Sequence, residues 1–417
     1  MRGGPREGNC HSRGLAGFDD RPGAKRARLR YIASSNMAGL ASTREGVERQ
    51  MTERERFHEW ARFGAPDRVP YWGMGYWPQT IERWEDEGMP ADVHLHAFFG
   101  FDRRDGVHLN AGMVPDFRDK TLEETDRYVI RQRSDGVVTK ALKTGESHGV
   151  RMSMDQHIRF PVEDRASWNE FKKRFNAKSP CRYPLFWEEY KSHLKGRDYP
   201  LSIHGGSMFG WPRNWMGFER AATILYDDPA LMREIMEFTA DFMIELITPA
   251  LEEIGDIDFG GMWEDMAFKT ASIISPKHAR EFMLPCYKRV TEVMHKYGIQ
   301  VIALDSDGYV DELIPIWLEA GINLIYPLEV ASGEDPVALR KKYGKDLLIW
   351  GGIDKRVLAV DKAAIRREVL SKTPFLIEQG GWIPGIDHSV PPDASFANYM
   401  YYLEVVRAVC EGRPVPS

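Results

Sequence analysis

The chain has 417 residues, 43% of them hydrophobic and 28% charged, with a formal net charge of -6. That is the composition of a soluble globular protein, and its acidic balance gives no reason to expect nucleic acid or an anionic membrane as a partner. No stretch approaches the ~18 consecutive apolar residues of a spanning helix. Cys10, Cys181, Cys286 and Cys410 are too few and too scattered for a disulfide framework or a Cys-x-x-Cys zinc site, so a reducing cytoplasm is the expected location.

Residues 1–50 are rich in Arg, Gly and Ser and hold few large apolar side chains. Such a segment buries too little surface to offset its ordering entropy, and a disordered extension is expected there. The folded unit is expected over 51–412. It opens with a short helix over 52–63 and an extended segment Arg68-Val69-Pro70-Tyr71-Trp72. Alternation around Ser134-Asp135-Gly136 predicts a hairpin over 127–144, and surface helices are expected over 161–175 and 184–194.

From Tyr199 onward strands and helices alternate. Strands are predicted at Pro200–His204, Ile257–Trp263, Gln300–Leu304, Asn323–Pro327, Leu347–Trp350 and Trp382–Ile386. The run Val301-Ile302-Ala303-Leu304 is short, apolar and without alternation, which suits a strand buried on both faces of a parallel sheet. Each of these strands ends in polar groups. An open doubly wound sheet would gather such groups at one switch point, whereas a closed barrel brings all the strand ends to one mouth. The expected fold is therefore α/β, a (β/α)8 TIM-type barrel with an N-terminal hairpin and helical additions.

The converging set is Glu264, Asp265, Asp305, Asp307, Glu329, Asp354, Asp387 and His388. So many carboxylates in one mouth repel one another, and some must be protonated, paired, or bound to a cation. Asp307, His388 and Glu264 are the candidates for acid–base chemistry, since a histidine works near neutral pH and a carboxyl can be tuned toward it. Asp305, Glu329, Asp387, His204, Trp211 and Arg213 are candidates for contacting substrate. If a metal is held, Asp305, Asp307 and Asp387 are the expected ligands, and hard oxygens would select a hard divalent cation. The chain has no complete phosphate-binding loop, no Gly-x-Gly-x-x-Gly after a strand and no Gly-x-Ser-x-Gly elbow. Nucleotide chemistry and serine hydrolysis are therefore not expected.

Several landmarks in order resemble the uroporphyrinogen decarboxylase superfamily, which holds the haem-pathway decarboxylase and cobalamin-linked methyltransferases. Pro66-Asp67-Arg68-Val69-Pro70 is similar to its Arg-x-Pro near the start of the barrel, and Gly351-Gly352-Ile353-Asp354 to its Gly-Asn-x-Asp. Gly381-Trp382-Ile383-Pro384-Gly385 through Pro391 and Asn398 is similar to its last strand and loop. The resemblance implies a distorted (β/α)8 barrel with the site at the carboxyl ends of the strands.

Two departures bear on the reaction. The decarboxylases carry Arg-Gln-Ala-Gly-Arg after the first strand to hold the acidic side chains of the tetrapyrrole. Here Trp72-Gly73-Met74-Gly75-Tyr76-Trp77 stands in its place, although His388 resembles the histidine of their late Gly-His-Gly. The methyltransferases bind zinc on His-x-Cys-Gly and a later Cys, where this chain has Asp305, Asp307 and, nearby, Asp387. The resemblance thus implies methyl transfer from a small methylated substrate, with cobalamin carried by a partner corrinoid protein and no thiol-activating zinc. A carboxy-lyase of porphyrin metabolism and a non-catalytic binding barrel are the alternatives, and a homodimer is compatible with any of them.

Overall fold

The computed structural model describes residues 50–144, 146–147, 150–151 and 155–417. Apart from Gln50, the extension expected over 1–50 lies outside the described residues. Seven parallel strands form one curled sheet: β1 (Asp105–Gly106), β2 (Leu201–His204), β3 (Phe259–Trp263), β4 (Val301–Asp305), β5 (Leu324–Tyr326), β6 (Leu348–Trp350) and β7 (Trp382–Ile383), in that spatial order. Between its two edges runs the extended segment 69–77. Asp102 N–H donates to the Tyr71 carbonyl on the β1 side. Beyond β7, Val390 and Tyr76 form a parallel bridge through the Gly75 carbonyl and the Trp77 N–H. The expected leading strand is therefore present as the eighth stave, held by isolated bonds rather than a continuous ladder. The result is the TIM-type barrel that the alternation of strands and helices predicted.

The alternation along each strand explains the two cores. Ile203, Met262, Ile302, Leu304, Ile325, Ile349 and Trp382 face outward and are buried under the helices. Phe259, Val301, Ala303, Leu324, Leu348, Trp350 and Ile383 face inward. Helix α1 (Glu53–Ala61), started by a capping box between Thr52 and Glu55, adds Phe57 and Trp60 to this inner cluster. Phe57 lies 5.7 Å from Trp72 and 5.2 Å from Phe259, and Trp72 lies 5.4 Å from Trp350 between ring centroids. Phe57, Trp60, Trp72 and Phe259 close the amino end of the barrel, and Trp350, the last residue of β6, packs on them from the lumen.

The carboxyl end is different. Ser202, His204, Gly261, Trp263, Asp305 and Tyr326 are all inward-facing and all retain solvent contact, while their outward neighbours are buried. The barrel is a cup, plugged below and open above.

Around it lie α2 (Gly210–Met216), α3 (Pro229–Ile254), α4 (Leu284–Lys296), α5 (Lys362–Gln379) and α6 (Phe396–Cys410). Among the described residues no helix is long and apolar enough to cross a membrane. The expected hairpin is found as Tyr128–Gln132 paired with Val138–Leu142, but Lys120–Glu124 and Gln156–Arg159 extend it to a four-stranded antiparallel sheet. Those flanking strands are solvent-exposed along their length, so no apolar alternation announced them. The two expected surface helices shrink to Arg165–Phe171 and Trp187–Leu194.

A charged cluster ties α1 to the barrel floor. Asp258, just before β3 and nearly solvent-inaccessible, accepts from Arg54 Nε at 2.7 Å, His58 Nε2 at 2.7 Å, Arg197 Nη2 at 2.8 Å and the Leu201 N–H at 2.8 Å. These donors hold its carboxyl down to about 2 despite burial. Asp258→Asn is expected to cost ~3–5 kcal/mol, because the arginines lose their buried counter-charge. The contribution of Asp258 is present above the ordinary carboxyl range near ~4 and disappears as the pH falls toward about 2. Urea denaturation of wild type and variant at pH 7 and pH 3 checks both statements.

Candidate active site

The floor of the cup is apolar; its rim carries the acids, and each acid has been given a different partner. Glu264, which directly follows β3, is fully buried. It accepts from the N–H groups of Met208, Phe209 and Gly210 at 2.6, 2.8 and 3.0 Å, and from Ser207 Oγ at 3.2 Å. Burial raises its pKa, and the backbone donors pull it back. The carboxylate satisfies the otherwise orphan amides where α2 begins. A Cβ on Gly210 would stand 2.6 Å from the Glu264 carbonyl, so only glycine permits this approach. Glu264, expected as a catalytic acid, is instead a positioning residue that shapes the Gly205–Gly210 loop.

Asp387 is likewise fully buried. Its two oxygens accept from the Val330 and Lys355 N–H groups, each at 2.9 Å, joining the turns after β5 and β6. The expected role in substrate or metal contact does not match that placement. Asp354 is engaged by the guanidinium of Arg356 at 2.7 Å, which lowers its pKa. Arg213 is committed to Asp265 at 2.9 Å and lies over the Trp263 ring.

Four of the expected residues do meet. His388 Nε2 lies 3.2 Å from Asp307 Oδ2, and both side chains are part-exposed. That hydrogen bond, chiefly, raises the His388 pKa above its ordinary value. Glu329 stands beside them, receiving Lys355 Nζ at 3.1 Å and the Gly308 N–H at 3.1 Å. Gly308 has φ +87, and a Cβ there would lie 2.5 Å from the Ala267 carbonyl, which explains the glycine of Asp-Ser-Asp-Gly.

Asp305 is the fourth. It ends β4 facing into the cup; its backbone carbonyl accepts from the Glu264 N–H, but among the described residues its carboxyl has no hydrogen bond or ion pair. Burial, then the nearby charges of Asp307 and Asp265, push its carboxyl up to about 7. Assigned to substrate contact on sequence grounds, it is a rim acid poised to exist in both protonation states at neutral pH.

On the β2 side, His204 faces the cup with its ring 5.8 Å from that of Trp211. Burial drops its pKa to about 4, so the imidazole is neutral near pH 7 and serves as a hydrogen-bonding and packing group. Two lumen residues were not anticipated. Tyr326, at the end of β5, pairs in register with Asp305. Arg104, just before β1, lies against Trp72 and Trp350. The signal for Arg104 was weak, because its strand is only two residues long.

The metal expectation changes as well. Asp305, Asp307 and Asp387 do not converge; Asp307, Glu329 and His388 do, with donor atoms within 4.8 Å of one another. However, Lys355 already neutralises Glu329, and Asp307 is paired with His388. A divalent ion would compete with an ammonium and with that pair, and no thiolate is at hand to bind zinc softly. The donor set fits a proton-sharing cluster and does not fit a resident metal.

The comparisons with known proteins agree with this architecture. Residues 194–409, just over half of the chain, match the family Uroporphyrinogen decarboxylase (URO-D). No curated protein matches the sequence. A methyltransferase from Methanosarcina mazei, 12% identical, superposes with a TM-score of 0.55 over 87% of this chain and 99% of its own. A B12-independent methionine synthase from Shewanella sp. W3-18-1, solved with selenomethionine and 14% identical, gives a TM-score of 0.41 over 82% of this chain and 97% of its own. At such identities the likeness to the first is one of fold.

Two outcomes are expected. Incubation with a chelator should leave the melting temperature unchanged, and elemental analysis should find no stoichiometric divalent metal. Asp305→Asn should be more stable than wild type at pH 8, by ~1–3 kcal/mol, and nearly equal to it at pH 4. The sign follows from a raised pKa: the folded state resists ionisation, so wild-type stability falls as pH climbs from ~4 through about 7. Thermal melts at the two pH values test it.

Proposed function

The chain belongs to the uroporphyrinogen decarboxylase (URO-D) family, and from that premise we propose that it is a cytoplasmic methyl-transferring enzyme acting on a small methylated ether or amine, with a corrinoid carried by a separate protein as methyl acceptor. The observation that carries the reading is Asp305, an unpartnered carboxyl held near about 7 at the mouth of a blind cup. When present, the corrinoid's cobalt supplies the nucleophile that takes the methyl group. The task left to this chain is to bind the substrate, exclude water and protonate the departing heteroatom.

As the carbon–heteroatom bond breaks, its electron pair stays on the heteroatom, and the Asp305 proton moves to that atom. Asp305 ends as a carboxylate. The protonated form of His388, favoured by Asp307, stands within electrostatic reach to stabilise that charge. Reprotonation of Asp305 from solvent completes the cycle. Glu264 holds the Gly205–Gly210 loop, and the aromatic floor keeps the cup dry enough for the acid to remain protonated.

The electrostatics oppose a tetrapyrrole substrate. Uroporphyrinogen carries many carboxylates, yet Arg213 and Lys355 are already paired with Asp265 and Glu329. The methyltransferase from Methanosarcina mazei shares the barrel, which is compatible with methyl transfer without assigning it.

The test is a mixture of the protein, reduced cobalamin and a panel of methyl ethers and methylamines, followed by the visible absorbance of the methylated corrinoid. Wild type is expected to methylate the corrinoid from at least one donor, and Asp305→Asn to do so ~10²–10⁴-fold more slowly. kcat/KM should fall as pH rises through about 7, the acid form of Asp305 being required, and this limb should vanish in the variant. Release of CO2 from a carboxylated substrate without methyl transfer would overturn the reading in favour of a carboxy-lyase. Absence of both reactions would leave a binding barrel.

A further inference from the structure

Arg104 has no place in the chemistry above, and its surroundings are unusual for an arginine. Its guanidinium carbon lies 5.1 Å from the centroid of Trp72 and 4.6 Å from that of Trp350. Both indoles belong to the inner aromatic cluster that floors the cup. Burial pulls its pKa below the ordinary arginine value, though a guanidinium remains charged, and the nearest influences in the other direction are Tyr326 and Asp305. No hydrogen bond or ion pair to a described residue engages it. Other well-buried arginines of the chain are engaged by protein acceptors: Arg56 binds Asp67 and Asp102, Arg182 binds backbone carbonyls, and Arg340 binds backbone carbonyls through its terminal nitrogens.

Stacking on two indoles satisfies the faces of a guanidinium. It does nothing for the five N–H donors, which lie in the plane. A charge removed from bulk water without a hydrogen-bonding partner is costly. Arg104 is half-buried and reaches into a lumen with room to spare: a Cβ built on inward-facing Gly261 would meet no atom within 4 Å. The Arg104 nitrogens keep solvent contact, so an anion that enters the cup can take the place of water on these donors.

From this geometry we propose that Arg104 anchors the carboxylate of a small substrate, with the indoles of Trp72 and Trp350 fixing the plane of the guanidinium fork. A planar carboxylate accepts two parallel N–H bonds from such a fork. The other end of the molecule then lies toward the rim, where Asp305 ends β4. The lumen between is lined by the inward faces of Tyr326 and Trp263, which suits a flat or aromatic body. The substrate class becomes a methyl ether or methylamine that also carries one carboxylate. That description of the rim end rests on the methyl-transfer reading, but the carboxylate site does not.

Direct binding separates the two. Acetate and benzoate serve as probes, with acetamide and benzamide as neutral counterparts, and no corrinoid or methyl donor is present. Binding is read by tryptophan fluorescence, since Trp72 and Trp350 flank the site, and by calorimetry. At least one carboxylate is expected to bind wild type and its amide to bind ~10–100-fold more weakly. Arg104→Met, which keeps length and packing against the indoles, should lose that preference. If Arg104→Met does not fold, Arg104→Gln replaces it. Equal binding of acids and amides, no binding of either, or a preference retained without the guanidinium would each overturn the carboxylate site. None of these results depends on whether methyl transfer is observed.

Discussion

Everything at the mouth of this barrel depends on the aromatic plug at its other end. Phe57, Trp60, Trp72 and Phe259 fill the amino half of the lumen, and Trp350, which ends β6, packs against Trp72 and Tyr326. Burying a ring of this size contributes on the order of 3–5 kcal/mol against its truncation to alanine. Part of the plug comes from α1, which precedes the barrel in the chain and is pinned beneath it by Asp258. Closing one end turns a through-channel into a cup. The groups facing this aromatic lining are partly withdrawn from solvent, and burial dominates the pKa values of Asp305, His204 and Arg104 alike.

Within that frame, the crowding of carboxylates is resolved by giving each acid a separate counterpart. Glu264 and Asp387 are buried most deeply and are met by backbone N–H groups, which supply partial positive charge without a mobile side chain. Glu329 and Asp265 are met by Lys355 and Arg213. Asp307 is met by His388. What remains is Asp305, whose neighbours raise its pKa and whose own carboxyl is met by no one. Leaving one acid without a counterpart is the difference between a structural salt-bridge network and a site that can give up a proton.

The barrel was legible in the sequence, and the reason is periodicity. Val301–Leu304 is apolar at every position because both faces of the strand are covered, and Asp305 follows where cover ends. The set of rim acids was legible for the same reason. Their roles were not, because a role depends on partners from other loops. Nothing near Glu264 in sequence reveals that the amides of Met208 to Gly210 converge on it, and nothing near Asp387 reveals the Val330 N–H. Arg104 escaped for a different reason. It sits before a strand of two residues whose ladder is set by β2, not by any apolar pattern of its own. Its importance lies in what it lacks, and the absence of a partner is a property of three-dimensional surroundings.

Asp305 and Arg104 are therefore best understood together. One is an acid made reluctant to ionise, the other a cation without a bound anion, and they share one lumen. If they were placed to stabilise the fold, they would be close enough to form an ion pair, which would lower the Asp305 pKa instead of leaving it raised. They feel each other's charge without forming an ion pair, which leaves the guanidinium free for an entering anion and, in the proposed reaction, the acid free to deliver a proton. In that reaction, a substrate bearing both a carboxylate and a reacting heteroatom would satisfy the arginine on entry and leave the acid untouched until bond cleavage creates a base, so the two groups together would set the specificity.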